Sequence, residues 1–98
     1  DSVREKELQL TLDCIAAAAD LGIGVLNIYT GPAPFMEIGS PVLHQQISEG
    51  EAWDMVCNAM DRLVPAAEKA QVKLAVEAVY GMVSREYYTL AELLRRAD

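Results

Sequence analysis

Apolar positions near the start of the chain recur at spacings of three and four. Leu8, Leu12, Ile15, Ala16 and Ala19 fall on one face, which predicts a helix over residues 3–21. Gly22 follows the last apolar position, where a helix commonly ends in a left-handed residue. The pattern then changes to a short, partly β-branched run, Ile23-Gly24-Val25-Leu26-Asn27-Ile28-Tyr29. Such a run predicts a strand covered on both sides, as in a parallel sheet.

Residues 30–49 have no period, and Gly31, Pro32, Pro34, Gly39 and Pro41 deny them regular structure. Connections beyond roughly 12–15 residues are uncommon and often functional. Ser48 and Glu51 stand three apart, the spacing of a capping box. The helix that follows carries Ala52, Met55, Val56, Ala59, Met60, Leu63 and Ala67 on one face, and a kink or tightening is expected at Pro65. A second strand is expected over residues 71–77, where Val72, Leu74 and Val76 alternate with Lys73, Ala75 and Glu77. After a loop over residues 78–88, Thr89 and Glu92 form a second capping-box pattern. Leu90, Leu93, Leu94 and Ala97 then begin a third helix.

The predicted order is helix, strand, long loop, helix, strand, loop, helix. Ala18-Ala19-Asp20 before the first strand is echoed by Ala66-Ala67-Glu68 before the second, 48 residues later. Repeated units of this kind predict a parallel α/β fold. Two parallel strands cannot satisfy their own edges, so further strands are expected from elsewhere. The chain does not start with Met. It is therefore expected to be part of a larger domain, about two and a half strand–helix units of a (β/α)8 barrel of ~250 residues.

Composition narrows the choices. Of 98 residues, 52% are apolar, which is globular and not disordered composition. Eight Lys and Arg against fifteen Asp and Glu give a net charge of −7. That balance argues against nucleic acid as a partner, because phosphate binding needs clustered cations. No apolar run is long enough for a membrane span, so no membrane partner is expected. Cys14 and Cys57 lie far apart, with neither a CxxC motif nor a His at ligand spacing. They are expected to be small hydrophobes in a cytoplasmic protein, not a disulfide or a zinc site.

In parallel α/β folds the chemistry collects at the C-terminal strand ends. The echo places Tyr29 and Glu77 there as equivalents, and it pairs Asn27 with Ala75 and Val25 with Lys73. If Val72, Leu74 and Val76 face the helices, Glu77 points to the opposite face of the sheet. A carboxylate closing so apolar a strand is either solvated or met by a cation. The long loop would hang over this end as a lid or substrate wall, with Tyr29, Phe35 and His44 as its candidate side chains, or else simply pack on itself. Tyr80, Arg85, Tyr87 and Tyr88 follow Glu77. They are expected mainly to pack their loop, with one of them available to a hydroxyl or a phosphate. Trp53 is expected to be a partly buried anchor.

Two stretches carry a family resemblance. Ala16 to Gly31, AAAADLGIGVLNIYTG, resembles the third-helix and fourth-strand region of the xylose isomerase-like barrels. That family includes sugar phosphate isomerases and epimerases. Leu63 to Glu77, LVPAAEKAQVKLAVE, is similar to its fourth helix and fifth strand, where the strand ends in a metal-binding Glu. The resemblance implies that Glu77 is a metal ligand and one of a pair of acid–base carboxylates. It implies one divalent ion, with Mn, Mg or Co favoured and Zn a further candidate, held by a Glu, an Asp, a His and a second Glu. Only the first of these falls within the chain. Many relatives carry a His near the end of the fourth strand, where this chain has Tyr29-Thr30-Gly31.

The implied reaction is proton transfer next to a carbonyl of a small sugar or sugar phosphate, through an enediolate. Three other readings remain: a metal-dependent lyase or dehydratase of the same superfamily, a hydrolase of abasic DNA, and a non-enzymatic α/β interaction module. In the last, several copies would assemble as a homo-oligomer to complete the sheet.

Overall fold

A computed structural model describes residues 2–31, 48–79 and 82–97. Helix α1 spans Ser2–Asp20, strand β1 Val25–Ile28, helix α2 Glu49–Ala70, strand β2 Lys73–Val76 and helix α3 Tyr87–Ala97. Helices α1 and α2 and both strands fall where the hydrophobic pattern places them, with the strands shorter than the apolar runs that contain them, and α3 begins ahead of the expected Thr89.

Both long helices end in the same way. Gly22 sits at φ 73°, and the N–H of Ile23 reaches back to the Ala18 carbonyl at 2.8 Å. Gln71 sits at φ 58°, and the N–H of Val72 reaches the Ala67 carbonyl at 2.9 Å. Each pattern satisfies orphan carbonyls and turns the chain directly into a strand. Gln71 does this with a Cβ, in a conformation that costs about 1–2 kcal/mol for a non-glycine residue. Pro65 lies within α2, and the helix runs on past it to Ala70. Pro65 and Asp61 are both exposed, so water can reach the carbonyl that the missing N–H leaves free.

The two strands are parallel and adjacent, with Val25 opposite Lys73, Leu26 opposite Leu74, Asn27 opposite Ala75 and Ile28 opposite Val76. The register is offset by 48 residues, the spacing of the echo in the sequence. Helices α1 and α2 lie against one face of this pair, and α3 packs on α2. α2 packs between α1 and α3, with α1 on β1 and α2 on β2. The core is built from Ile15 and Ala18 of α1, Ile28 of β1, Leu93 of α3 and a long stripe on α2. That stripe is Ala52, Trp53, Val56, Met60, Leu63 and Ala67.

Several expectations need correction. Ala16 and Ala19 are exposed, and Ala18 takes their place in the core. Leu8 and Leu12 are half-buried and pack against the same core as Ile15 and Ala18. Cys14 is exposed and so is not a core hydrophobe, whereas half-buried Cys57 packs against the core. Trp53 is more deeply buried than expected, with 8% of its surface exposed. Its indole N–H donates to Glu49, and the Arg96 guanidinium lies 4.9 Å from the ring centroid.

The start of α3 also differs. Thr89 is not the cap; Glu86 is. The Glu86 carboxylate accepts the N–H groups of Tyr88 and Thr89, while Thr89 Oγ1 accepts the Glu86 N–H at 3.1 Å. The box is reciprocal with its residue types exchanged, and the bonds from Thr89 and Tyr88 hold the Glu86 carboxyl below its usual range. Helix α3 therefore begins at Tyr87. Its first turn exposes Tyr87 and Tyr88, which meet edge to face at 5.5 Å and do not pack the loop.

Two outcomes test this packing. Leu93 is 1% exposed. Leu93→Ala is expected to cost about 2–5 kcal/mol, measured as a lowered urea midpoint at unchanged slope. Glu92 bonds to Arg95 and Arg96, and these bonds pull its carboxyl from 4.5 down to about 2. A depressed folded-state pKa stabilises above the unfolded value and is lost as pH falls through the folded one. Part of the α3 helicity, followed by circular dichroism, is thus expected to fade between pH 4.5 and about 2. Glu92→Gln is expected to remove that portion, and added salt to shrink it.

Candidate functional site

The ladder continues one step past β2, where the Glu77 N–H donates to the Ile28 carbonyl at 3.0 Å. That bond fixes which way Glu77 faces. Alternation along β2 leaves Lys73, Ala75 and Glu77 exposed, and alternation along β1 does the same for Val25, Asn27 and Tyr29. The six residues share the face turned away from the helices. Glu77 stands at the C-terminal edge of that face, as the alternation predicts.

Two side chains of the neighbouring strand converge on its carboxylate. Asn27 Nδ2 donates to Glu77 Oε1 at 3.1 Å, and the Tyr29 hydroxyl donates to the same oxygen at 3.3 Å. The directions follow from chemistry, because an ionised carboxylate only accepts. Asn27 and Tyr29 are two apart and therefore on one face, and the 48-residue register brings that face alongside Glu77. Among the described residues, Glu77 enters no ion pair. Its charge is met by two neutral donors and by solvent.

The segments after the two strands are tied together at this same end. Thr30 Oγ1 accepts the Ser84 N–H at 2.8 Å, and the Gly31 carbonyl accepts the Val83 N–H at 3.2 Å. Gly31 does so at φ 88°, a conformation that suits glycine. Ser84 is completely buried, and its Oγ has no hydrogen-bond partner among the described residues. The Arg85 guanidinium donates to the Val83 carbonyl and pairs with Glu49 at 3.0 Å.

Of the residues singled out in the sequence, Tyr29 and Glu77 are brought into contact. Phe35 and His44, and Tyr80 with them, lie outside the described residues. Sequence reasoning missed Asn27 and Thr30. The signal for Asn27 was available: it is the polar residue on the Tyr29 side of an otherwise apolar strand. Thr30 had no comparable signal, because its partner is a backbone amide 54 residues away.

A carboxylate oxygen is a hard ligand suited to Mn, Mg or Co, and Glu77 Oε2 has no donor among the described residues. The donor set fits a divalent ion to that extent. The described residues hold no cluster of three or more His, Cys, Asp or Glu side chains. A larger, mainly apolar groove of about 720 Å³ lies between α1, β1 and α2, with Leu8, Leu26, Met55 and Leu63 among its walls. Its lining includes Asn27, Tyr29 and Thr30 and the charged Arg4, Glu5, Glu7 and Arg62, but not Glu77.

Parallel strands, helices on one face and a carboxylate at the C-terminal strand edge are consistent with a section of a (β/α)8 barrel. The chain belongs to the xylose isomerase-like TIM barrel family, whose model matches residues 1–98. That family includes sugar isomerases and epimerases as well as endonuclease-like members. Comparison with curated proteins gives no match, and neither does comparison with solved structures. No helix among the described residues is long and apolar enough to cross a membrane.

The tie between the two strand-end segments yields a test. Thr30→Val keeps the shape of the side chain but removes the acceptor of the Ser84 amide. It is expected to destabilise the protein by about 1–3 kcal/mol in urea unfolding, as an unpaired buried N–H requires.

Proposed function

We propose that the protein acts in a divalent-metal-dependent sugar isomerase or epimerase, moving a proton next to a carbonyl, with Glu77 at the reacting centre. One observation carries this reading: Glu77 closes a parallel strand on the face away from the helices, and its carboxylate is held there by Asn27 and Tyr29. Membership of a family that contains sugar isomerases and epimerases supports the choice of chemistry.

In this reading Glu77 contributes one ligand to a Mn, Mg or Co ion, the remaining ligands coming from residues other than those described. When bound, such an ion supplies Lewis acidity to adjacent substrate oxygens. The Glu77 carboxylate receives the proton that leaves the carbon beside the carbonyl, and a second carboxylate on the opposite side returns it. The substrate is a small sugar or sugar phosphate, whose adjacent hydroxyl and carbonyl oxygens match this chemistry. Nucleic acid is a poor alternative for a chain of net charge −7.

The test uses the full-length protein. Glu77→Gln is expected to lose bound metal in elemental analysis and to lower the interconversion of aldose and ketose substrates by about 10²–10⁴-fold. Equal metal content in the variant and the parent removes Glu77 from the centre. A dehydrated or cleaved product in place of an isomer assigns the same centre to elimination.

A further inference from the structure

We propose that Asn27 and Tyr29 are positioning residues for Glu77: together they occupy Oε1 and so present Oε2 to the cation. This inference rests on the reading of Glu77 as a metal ligand and adds which residues orient it and through which oxygen.

The geometry behind it is specific. A glutamate at a strand end has several free torsions, and an exposed one samples many orientations. Here both hydrogen bonds fall on one oxygen, from donors that stand on the neighbouring strand at positions i and i+2. Each carboxylate oxygen offers about two acceptor sites, so Oε1 is filled by the amide and the phenol while Oε2 is left open among the described residues. The donors are neutral and add no competing positive charge to the centre. They are also held in place independently of Glu77. Asn27 lies within the ladder of β1, and Tyr29 is flanked by Ile28, buried in the core, and by Thr30, tied to Ser84. The carboxylate is thus aimed by backbone register, not by its own rotamer preference. Groups that orient a metal ligand in this way typically change metal affinity by about 10–100-fold when removed.

The probe is Mn²⁺ alone, titrated into the metal-free full-length protein and followed by calorimetry or by the electron-spin signal of the free ion. Urea unfolding of the same metal-free proteins runs beside it. Three variants are compared with the parent: Tyr29→Phe, Asn27→Ala with Tyr29→Phe, and Glu77→Gln. The double variant is expected to bind Mn²⁺ about 10–100-fold more weakly, and Tyr29→Phe to fall between it and the parent. The urea midpoints are expected to stay close to the parent's, since both hydrogen bonds are exposed. A structural role alone would instead lower the midpoint of the double variant and leave Mn²⁺ affinity intact. Should the double variant fold poorly, Tyr29→Phe removes one hydroxyl from an exposed ring and decides the matter by itself. Unchanged Mn²⁺ affinity in Tyr29→Phe and in the double variant, with Glu77→Gln impaired, overturns the positioning role and leaves the metal reading standing. Unchanged affinity in Glu77→Gln overturns both.

Discussion

The parallel pairing of β1 with β2 is the constraint on which the described structure depends. It is set by a short run of backbone hydrogen bonds, from the Lys73 N–H on the Gly24 carbonyl to the Glu77 N–H on the Ile28 carbonyl. A slip of one residue would exchange the two faces of one strand. For β2, Val76 would leave the helices, and the Glu77 carboxylate would turn toward the core without a partner. The apolar alternation in Val72, Leu74 and Val76 holds the register because burial of these side chains against α2 is lost in any other arrangement.

The helices enforce the same asymmetry. α2 carries a continuous apolar stripe from Ala52 to Ala67 and sits between α1 and α3. Its charged contacts lie at the periphery: Arg62 with Glu5 at 2.9 Å, and Arg85 with Glu49 at 3.0 Å. Pairs at the periphery, screened by solvent, contribute little to stability. Arg4, which donates to the Met55 carbonyl at 2.8 Å, adds direction to the packing of α1 on α2. The apolar stripe therefore supplies the main drive for the helical layer, and that layer leaves the opposite face of the sheet to Asn27, Tyr29 and Glu77.

At the C-terminal strand edge, order comes from hydrogen bonds more than from burial. Thr30 and Gly31 hold the segment after β2 through its backbone, and Glu86 with Thr89 starts α3 immediately beyond. The site is thus bracketed by a short strand on one side and a capped helix on the other. Mounting side chains on regular elements in this way restricts their motion more than a free loop would.

Element type and order were legible in the sequence, because periods of 3.6 and 2 report directly which face is buried. The 48-residue echo contained the strand register itself, and the alternation at Val72 to Glu77 placed the carboxylate on the correct face. Local chemistry was less legible. Ser48 caps α2 as its spacing suggests, but at α3 Glu86 and Thr89 exchange the usual parts, since either side chain can reach the same amides. Ala18 displaced Ala16 and Ala19 from the core because the strand that α1 meets, and not the helix period alone, decides the buried side. The meeting of Asn27 and Tyr29 at a single oxygen of Glu77, and the bond from Ser84 to Thr30, belong to the tertiary structure alone. They join residues some fifty positions apart, and no local pattern encodes a contact that exists only once two strands lie side by side.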